Sequence, residues 1–243
     1  MTLLELGLLV LAVVAGAVAA VAGFGIGSLL TPAVGATLGI GTAVAVVAIP
    51  HAVATATRLW SLRDAVDLRI LRSFGIASAI GGLVGAALHG VLASPTLAVA
   101  LGALLVLAGT LELTGMNRRL VLRGAASTVA GVASGLFGGL VGNQGGIRSA
   151  ALLQAGLAPR ALVATATATA MLVDAARVPI YLVSNGPQLV EQARLIAILT
   201  AGALLGTLLG GPILRRLPEL AFRRILASVL IALGIALIAG FGT

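Results

Sequence analysis

The chain has 243 residues, is 60% hydrophobic and only 9% charged, and has a mean hydropathy of +1.18. Soluble domains are about 25% charged, so the composition excludes one and indicates an integral membrane protein. All fifteen basic residues are arginine, the net charge is +8 and there is no cysteine, which excludes disulfides, thiolate metal sites and a sulfur-relay nucleophile.

The arginines fall between apolar runs, where inside-positive orientation accounts for them; no nucleic-acid partner is expected. A helix crossing a hydrocarbon core of about 30 Å needs about 20 apolar residues. The first such run, 3–22, carries Glu5 and no basic residue ahead of it, and reads as a retained helix, not a removable leader. Further long helices are expected at 42–60, 73–92, 96–115, 124–141, 160–184, 195–214 and 225–240. Two shorter apolar pieces, 28–39 and 147–157, each follow a glycine cluster, "GFGIG" at 23–27 and "GNQGG" at 142–146, and suit half-helices or re-entrant arms. Aromatic residues make up 3% of the chain, too few for the girdles of a transmembrane barrel. The expected fold is all-α and polytopic, with about eight long helices plus two short arms in one membrane domain. "SLRDAVDLRILRS" (61–73) reads as a short amphipathic helix along the interface. The zipper "GALLGTLLGG" (202–211) reads as close helix packing and as a candidate homodimer surface.

An internal repeat organises these elements. "GAVAAVAGFGIG" starting at Gly16 matches "GVASGLFGGLVG" starting at Gly131, and "AVATATRLW" (52–60) resembles "MLVDAARVP" (171–179), which pairs Arg58 with Arg177 and Thr55 with Asp174. The halves are 1–120 and 121–243. If every long helix were one crossing, the halves would be parallel and the loop arginines would divide almost evenly between the two sides, against the inside-positive rule. If the first helix and short arm of each half return together to the side they left, about three crossings follow and the halves are inverted. Arg58, Arg63, Arg69, Arg72, Arg118, Arg119, Arg123, Arg160, Arg215, Arg216, Arg223 and Arg224 then share one face, the cytoplasmic one, and only Arg194 lies in the loops of the other. The termini lie outside, and the protein is expected in the cell inner (plasma) membrane. Inverted repeats place a substrate site at the midplane, where broken helices meet.

"GLVGNQGGIRSAA" (139–151) is the most polar stretch at such a break. Its glycines free the backbone for close approach. A helix starting there presents unpaired N–H groups and a positive dipole end to an anion. Arg148 adds a planar fork suited to paired oxygens. Asn143 and Gln144 add donors, Gly145 and Gly146 close backbone contacts, and the equivalent first-half segment supplies Gly25, Gly27 and Ser28. Arg177 is a weaker anion-contact candidate, and Asp174 and Arg177, i and i+3 on one helix, also read as a self-neutralising pair. His51 and Asp174 are the candidate proton-coupling groups, although His51 reads first as a hydrogen-bonded packing histidine. Arg58 lies near a helix end, where topology alone accounts for it. Thr165 and Thr169 share a helix face that can line a site or simply pack, and Glu112 reads as snorkelling toward Arg118 and Arg119.

The two glycine-cluster segments, "AGFGIGSLLTPAVGATLGIGTAVAVVAIPHAVATATRLW" and "ASGLFGGLVGNQGGIRSAALLQAGLAPRALVATATATA", resemble the TauE/SafE sulfite exporter family, also called the 4-toluene sulfonate uptake permeases. The resemblance runs over the whole chain. It implies a permease for sulfur-containing or carboxylated organic anions, such as sulfite, thiosulfate, sulfoacetate or other sulfonates; alternating access of the two inverted halves, coupled to protons through Asp174 or His51, is the expected mechanism. The family's glycine motif carries over onto Gly23, Gly25, Gly27 and Pro32, and onto Gly138, Gly142, Gly145 and Gly146; the proline after the second cluster is absent, and Arg148 stands in that region. An anion-selective channel or a carboxylate transporter of the same architecture is the alternative. With no nucleophile motif and no paired acidic metal motif, neither an enzyme, a cofactor nor a resident metal is expected.

Overall fold

The structure is a computed structural model that describes residues 2–92, 95–114, 124–141 and 145–240. The described residues are overwhelmingly helical: α1 (Leu3–Ala22), α2 (Ile26–Leu38), α3 (Ile40–Leu62), α4 (Leu68–Ile70), α5 (Ile76–Leu92), α6 (Pro95–Thr114), α7 (Ala125–Val141), α8 (Gly145–Leu153), α9 (Pro159–Ser184), α10 (Gly186–Glu191), α11 (Ala193–Arg216) and α12 (Glu219–Ile238). α1, α3, α5, α6, α7, α9, α11 and α12 are the long helices, of 17 to 26 residues, and α2 and α8 are the two short arms, of 13 and 9. Among the described residues, five stretches are long and apolar enough to span a membrane: Leu3–Ala22, Gly41–Ala65, Leu68–Leu88, Pro159–Ser184 and Ala193–Arg216.

Local chemistry sets the ends. Thr2 and Glu5 form a reciprocal capping box at the start of α1, the Thr2 hydroxyl accepting from the Glu5 amide at 3.1 Å and the Thr2 amide donating to the Glu5 carboxylate at 2.8 Å. α1 stops at Gly23, whose φ of 84° lies in the left-handed region, and α2 begins after Gly25 with a φ of 142°. Side chains rarely adopt either conformation, so the break after α1 depends on glycine. Pro159 opens α9, where its missing N–H has no helical partner to lose.

Small residues determine which helices touch. Among apolar helices in lipid there is no hydrophobic drive to associate, so close backbone packing decides. Gly16 of α1 sits against Ala203 and Thr207 of α11, and Gly210 sits against Ala17 and Ala20, so α1 and α11 run in the same direction. Gly131 of α7 meets Phe74 and Ala77, and Gly139 meets Gly82, Gly85 and Ala86, so α5 and α7 also run together. In contrast, Gly109 of α6 meets Ala227 and Ile231 while Gly234 of α12 meets Gly102 and Val106, which makes that pair antiparallel. α3 and α9 cross antiparallel too, His51 facing Asp174 and Arg58 facing Thr167. α3 packs on α11 as α9 packs on α5.

Two expectations are corrected. The 61–73 segment is not one amphipathic interfacial helix: α3 continues to Leu62, a 3-10 turn covers Arg63–Ala65, and α4 passes through a π-helical turn, Leu71–Gly75, into α5. The corner is pinned by polar contacts to α9. The Asp67 amide donates to Thr165 at 2.9 Å, Asp64 pairs with Arg160 at 2.8 Å, and Leu62 and Phe74 are buried. The 202–211 glycines are likewise used within the chain, because α1 occupies the face presented by Gly202, Gly206 and Gly210. That removes this stripe as a dimer surface.

A Cβ added at Gly206 would collide with the Val13 carbonyl and lie 2.8 Å from the Ala17 nitrogen, whereas one at Gly211 meets nothing within 4 Å. Gly206→Val is therefore expected to lower stability by about 1–3 kcal/mol through overpacking. Gly211→Ala should be neutral or raise it by up to about 1 kcal/mol through helix propensity. Thermal unfolding of the two variants side by side in detergent checks this, and equal melting would contradict the packing assigned to α1 and α11.

Candidate functional site

The starts of α2 and α8 face one small cavity lined by Gly23, Phe24, Gly25, Gly27, Ser28, His51, Gly145 and Arg148. The first N–H groups of a helix have no intrahelical partner, and Gly25 has no side chain with which to cap α2. Two positive helix ends therefore converge on the cavity. Its volume is about 10 Å³, room for roughly one water. Gly145 can form this wall only as glycine, because an added Cβ would run into the Phe24 side chain. Gly146 faces elsewhere, against Leu105 of α6.

Arg148 is 1% exposed and among the largest fully buried side chains. Its Nη1 donates to the Ala166 carbonyl of α9 at 2.7 Å, while Nε and Nη2 have no partner among the described residues. Nε and Nη2 form the side-on edge of the guanidinium, where two N–H bonds point the same way and match two oxygens of one anion. The helix register thus holds the charge in place and leaves its two-donor edge unused.

One helical layer away lies a second polar group. Asp174, 1% exposed, accepts from both sides: His51 Nδ1 lies 2.6 Å from Oδ2, and Arg177 Nε and Nη2 lie 3.0 and 2.9 Å from Oδ1. Arg177 Nη1 donates to the Gly138 carbonyl at 2.9 Å and the Tyr181 hydroxyl donates to the Gly139 carbonyl at 3.1 Å. Both carbonyls belong to the last described turn of α7, so α9 is fastened to α7 there. The i, i+3 pairing of Asp174 and Arg177 is present, and all three Arg177 nitrogens are engaged. Arg177 therefore has no free edge for an anion in this state.

Arg58 differs from its sequence reading. Four residues before the end of α3, it is 4% exposed inside the bundle, with Nε donating to Thr167 Oγ1 at 2.8 Å and Nη1 without a partner among the described residues. Its alignment with Arg177 across the repeat was the available signal, outweighed by its closeness to a helix end. Thr165 accepts from Asp67 and so belongs to the corner, while Thr169 lies close to Gly75. Asn143, Gln144 and Gly142 lie outside the described residues, as do Arg118, Arg119 and Arg123. The buried charges among the described residues are thus Arg58, Arg148 and Arg177 against Asp174, with His51 beside it. With His51 neutral, two positive charges are uncompensated.

Removing one partner of a buried ion pair costs about 3–5 kcal/mol because the other charge is stranded, whereas an exposed pair contributes under about 1 kcal/mol. Asp174→Ala is therefore expected to lower the unfolding temperature far more than Asp64→Ala, which loses only the exposed pair with Arg160. Equal shifts in a detergent melting experiment would refute the central role given to Asp174.

With this geometry in hand, a family model described as sulfite exporter TauE/SafE matches residues 8–237 of the chain. No curated protein and no solved structure matches it.

Proposed function

Because the chain belongs to the TauE/SafE sulfite exporter family, a family of membrane transporters for sulfur anions, we propose that it is a secondary permease for small sulfur oxyanions, sulfite, thiosulfate, sulfoacetate and other sulfonates among them. The observation that carries this reading is the unpartnered two-donor edge of Arg148, buried beside a cavity where two helix N-termini meet. A charge kept from water is costly unless something pairs with it, and an oxyanion supplies the missing acceptors. Gly25, Gly27, Ser28 and Gly145 line the same cavity. Asn143 and Gln144, adjacent in sequence, are assigned to the anion's remaining oxygens, Gly146 to packing the start of α8, and Arg177 to holding Asp174 more than to the anion.

Alternating access between inverted halves, 1–120 and 121–243, is the proposed mechanism. A two-fold axis in the membrane plane reverses each helix onto its repeat mate, while an axis along the membrane normal preserves direction. The mates α3 and α9, and α6 and α12, run antiparallel, which supports inversion. Asp64 meets Arg160 at one end of the bundle and Glu5 meets Arg194 at the other. The arginine-rich first end is assigned to the cytoplasm of a plasma (inner) membrane. Proton coupling is assigned to His51 and Asp174, whose hydrogen bond joins α3 of one half to α9 of the other. Arg58 and Arg177 are the other charged groups acting on His51.

Counterflow uptake of labelled sulfite, thiosulfate and sulfoacetate into proteoliposomes tests the reading. One hydrogen bond to a charged group is worth about 1.5–3 kcal/mol, so Arg148→Gln is expected to raise the half-saturating concentration at least about tenfold, with Arg148→Lys intermediate because it keeps charge and loses the fork. Unchanged uptake in Arg148→Gln would remove the site from the second glycine cluster, and no uptake of any of the three by the wild type would sink the substrate class. Topology has its own check, since the chain has no cysteine. Single cysteines at Gln192 and Arg216 should label from the outside and the inside of the cell, respectively; labelling of both from one side would contradict it.

A further inference from the structure

We infer that Arg58 is the second guanidinium of the anion site, so that one trioxo head group, as in sulfite or a sulfonate, takes two donors from Arg148 and a third from Arg58. The inference rests on the permease reading above and adds a residue that the glycine-cluster motif does not contain.

Three observations carry it. Arg58 Nη1 is a buried donor with no partner among the described residues, as are Nε and Nη2 of Arg148. The two side chains are fastened to consecutive residues of α9, Arg148 to the Ala166 carbonyl and Arg58 to the Thr167 hydroxyl. They come from opposite sides, α8 in the second half and α3 in the first. Finally, Asp174, the one buried carboxylate among the described residues, attracts both Arg148 and Arg58 but is hydrogen-bonded to neither, being engaged by His51 and Arg177, while Arg58 and Arg177 act on Arg148 as like charges. Like charges held near each other out of water repel unless an anion lies between them.

Thr167 acts as a positioning residue. Its hydroxyl proton goes to the Val163 carbonyl at 2.6 Å, which leaves an oxygen lone pair to accept from Arg58 Nε at 2.8 Å. That bond fixes the guanidinium through Nε and leaves Nη1 without a partner among the described residues. An anion bridging Arg58 and Arg148 would link the two halves directly, and its departure would restore their repulsion. Cargo loading is thereby coupled to the closure that rocking requires.

The test compares wild type, Arg58→Gln, Arg58→Lys, Thr167→Val and Thr167→Ser, reading both sulfite counterflow and sulfite-dependent thermal stabilisation in detergent. Arg58→Gln is expected to melt no lower than wild type without anion, because an unpaired buried charge is gone, and to need at least tenfold more sulfite for half-saturation. Arg58→Lys should fall between. Thr167→Val should raise the half-saturating concentration severalfold with the maximal rate retained, and Thr167→Ser should restore it, a split that a purely structural role would not produce. Half-saturation within twofold of wild type in Arg58→Gln, or in Thr167→Val should Arg58→Gln fail to reconstitute, overturns the inference. If Arg148→Gln is impaired while the Arg58 and Thr167 variants match wild type, this inference alone fails. A wild type indifferent to sulfite and to sulfonates removes the permease reading with it.

Discussion

A charged group inside a bilayer has no water to fall back on, and the arrangement around Asp174 follows from that. The carboxylate takes a hydrogen bond from His51 across the α3–α9 crossing, and a hydrogen bond and an ion-pair contact from Arg177 on its own helix. Arg177 in turn uses its last nitrogen on the Gly138 carbonyl of α7. Asp174 and all three Arg177 nitrogens are thus engaged, and the group holds three helices in register. Arg148 and Arg58 are the counterpart: each is tied to α9 by one bond and otherwise unmet. With His51 neutral, two positive charges are uncompensated, and it is on that balance that the proposed anion site rests.

The glycines bring that chemistry together by two separate routes. Positive backbone angles at Gly23 and Gly25 break the chain, so that a helix starts in mid-membrane with its N–H groups pointing at the cavity. The absence of side chains at Gly16, Gly202, Gly206, Gly131, Gly135 and Gly139 lets α1 sink onto α11 and α7 onto α5, with backbone in contact with backbone. Each of these close pairs joins an early helix of one half to a late helix of the other. The halves interlock, and the polar crossing of α3 and α9 is held between the two pairs.

Much of this was legible in the chain. The helix expected at 3–22 is the helix observed, and the two short arms begin within two residues of their expected starts. Apolar runs of membrane length admit one local structure, because every backbone group must be satisfied within its own segment. Arg148 stood out as a guanidinium inside a glycine cluster, although a short arm near an interface also allows it to snorkel to a headgroup. Arg58 did not, since an arginine four residues before a helix end looks like an interfacial anchor. The 61–73 segment misled for a related reason: its alternating charges fit an interface, while Asp67 and Asp64 in fact reach α9.

By itself, then, the sequence determined that the chain is a helical membrane protein, where its helices run, where two of them break and which break carries a charge, because these depend on residues close together in the chain. Only the tertiary structure decided which polar groups satisfy one another. The partners of Asp174 and Arg58 lie more than a hundred residues away on a crossing helix, at His51 and Thr167. Whether a buried nitrogen is spent or free is a property of that crossing and not of its neighbours in sequence. It is this difference that separates Arg177, whose donors are consumed, from Arg148 and Arg58, whose donors remain for an anion.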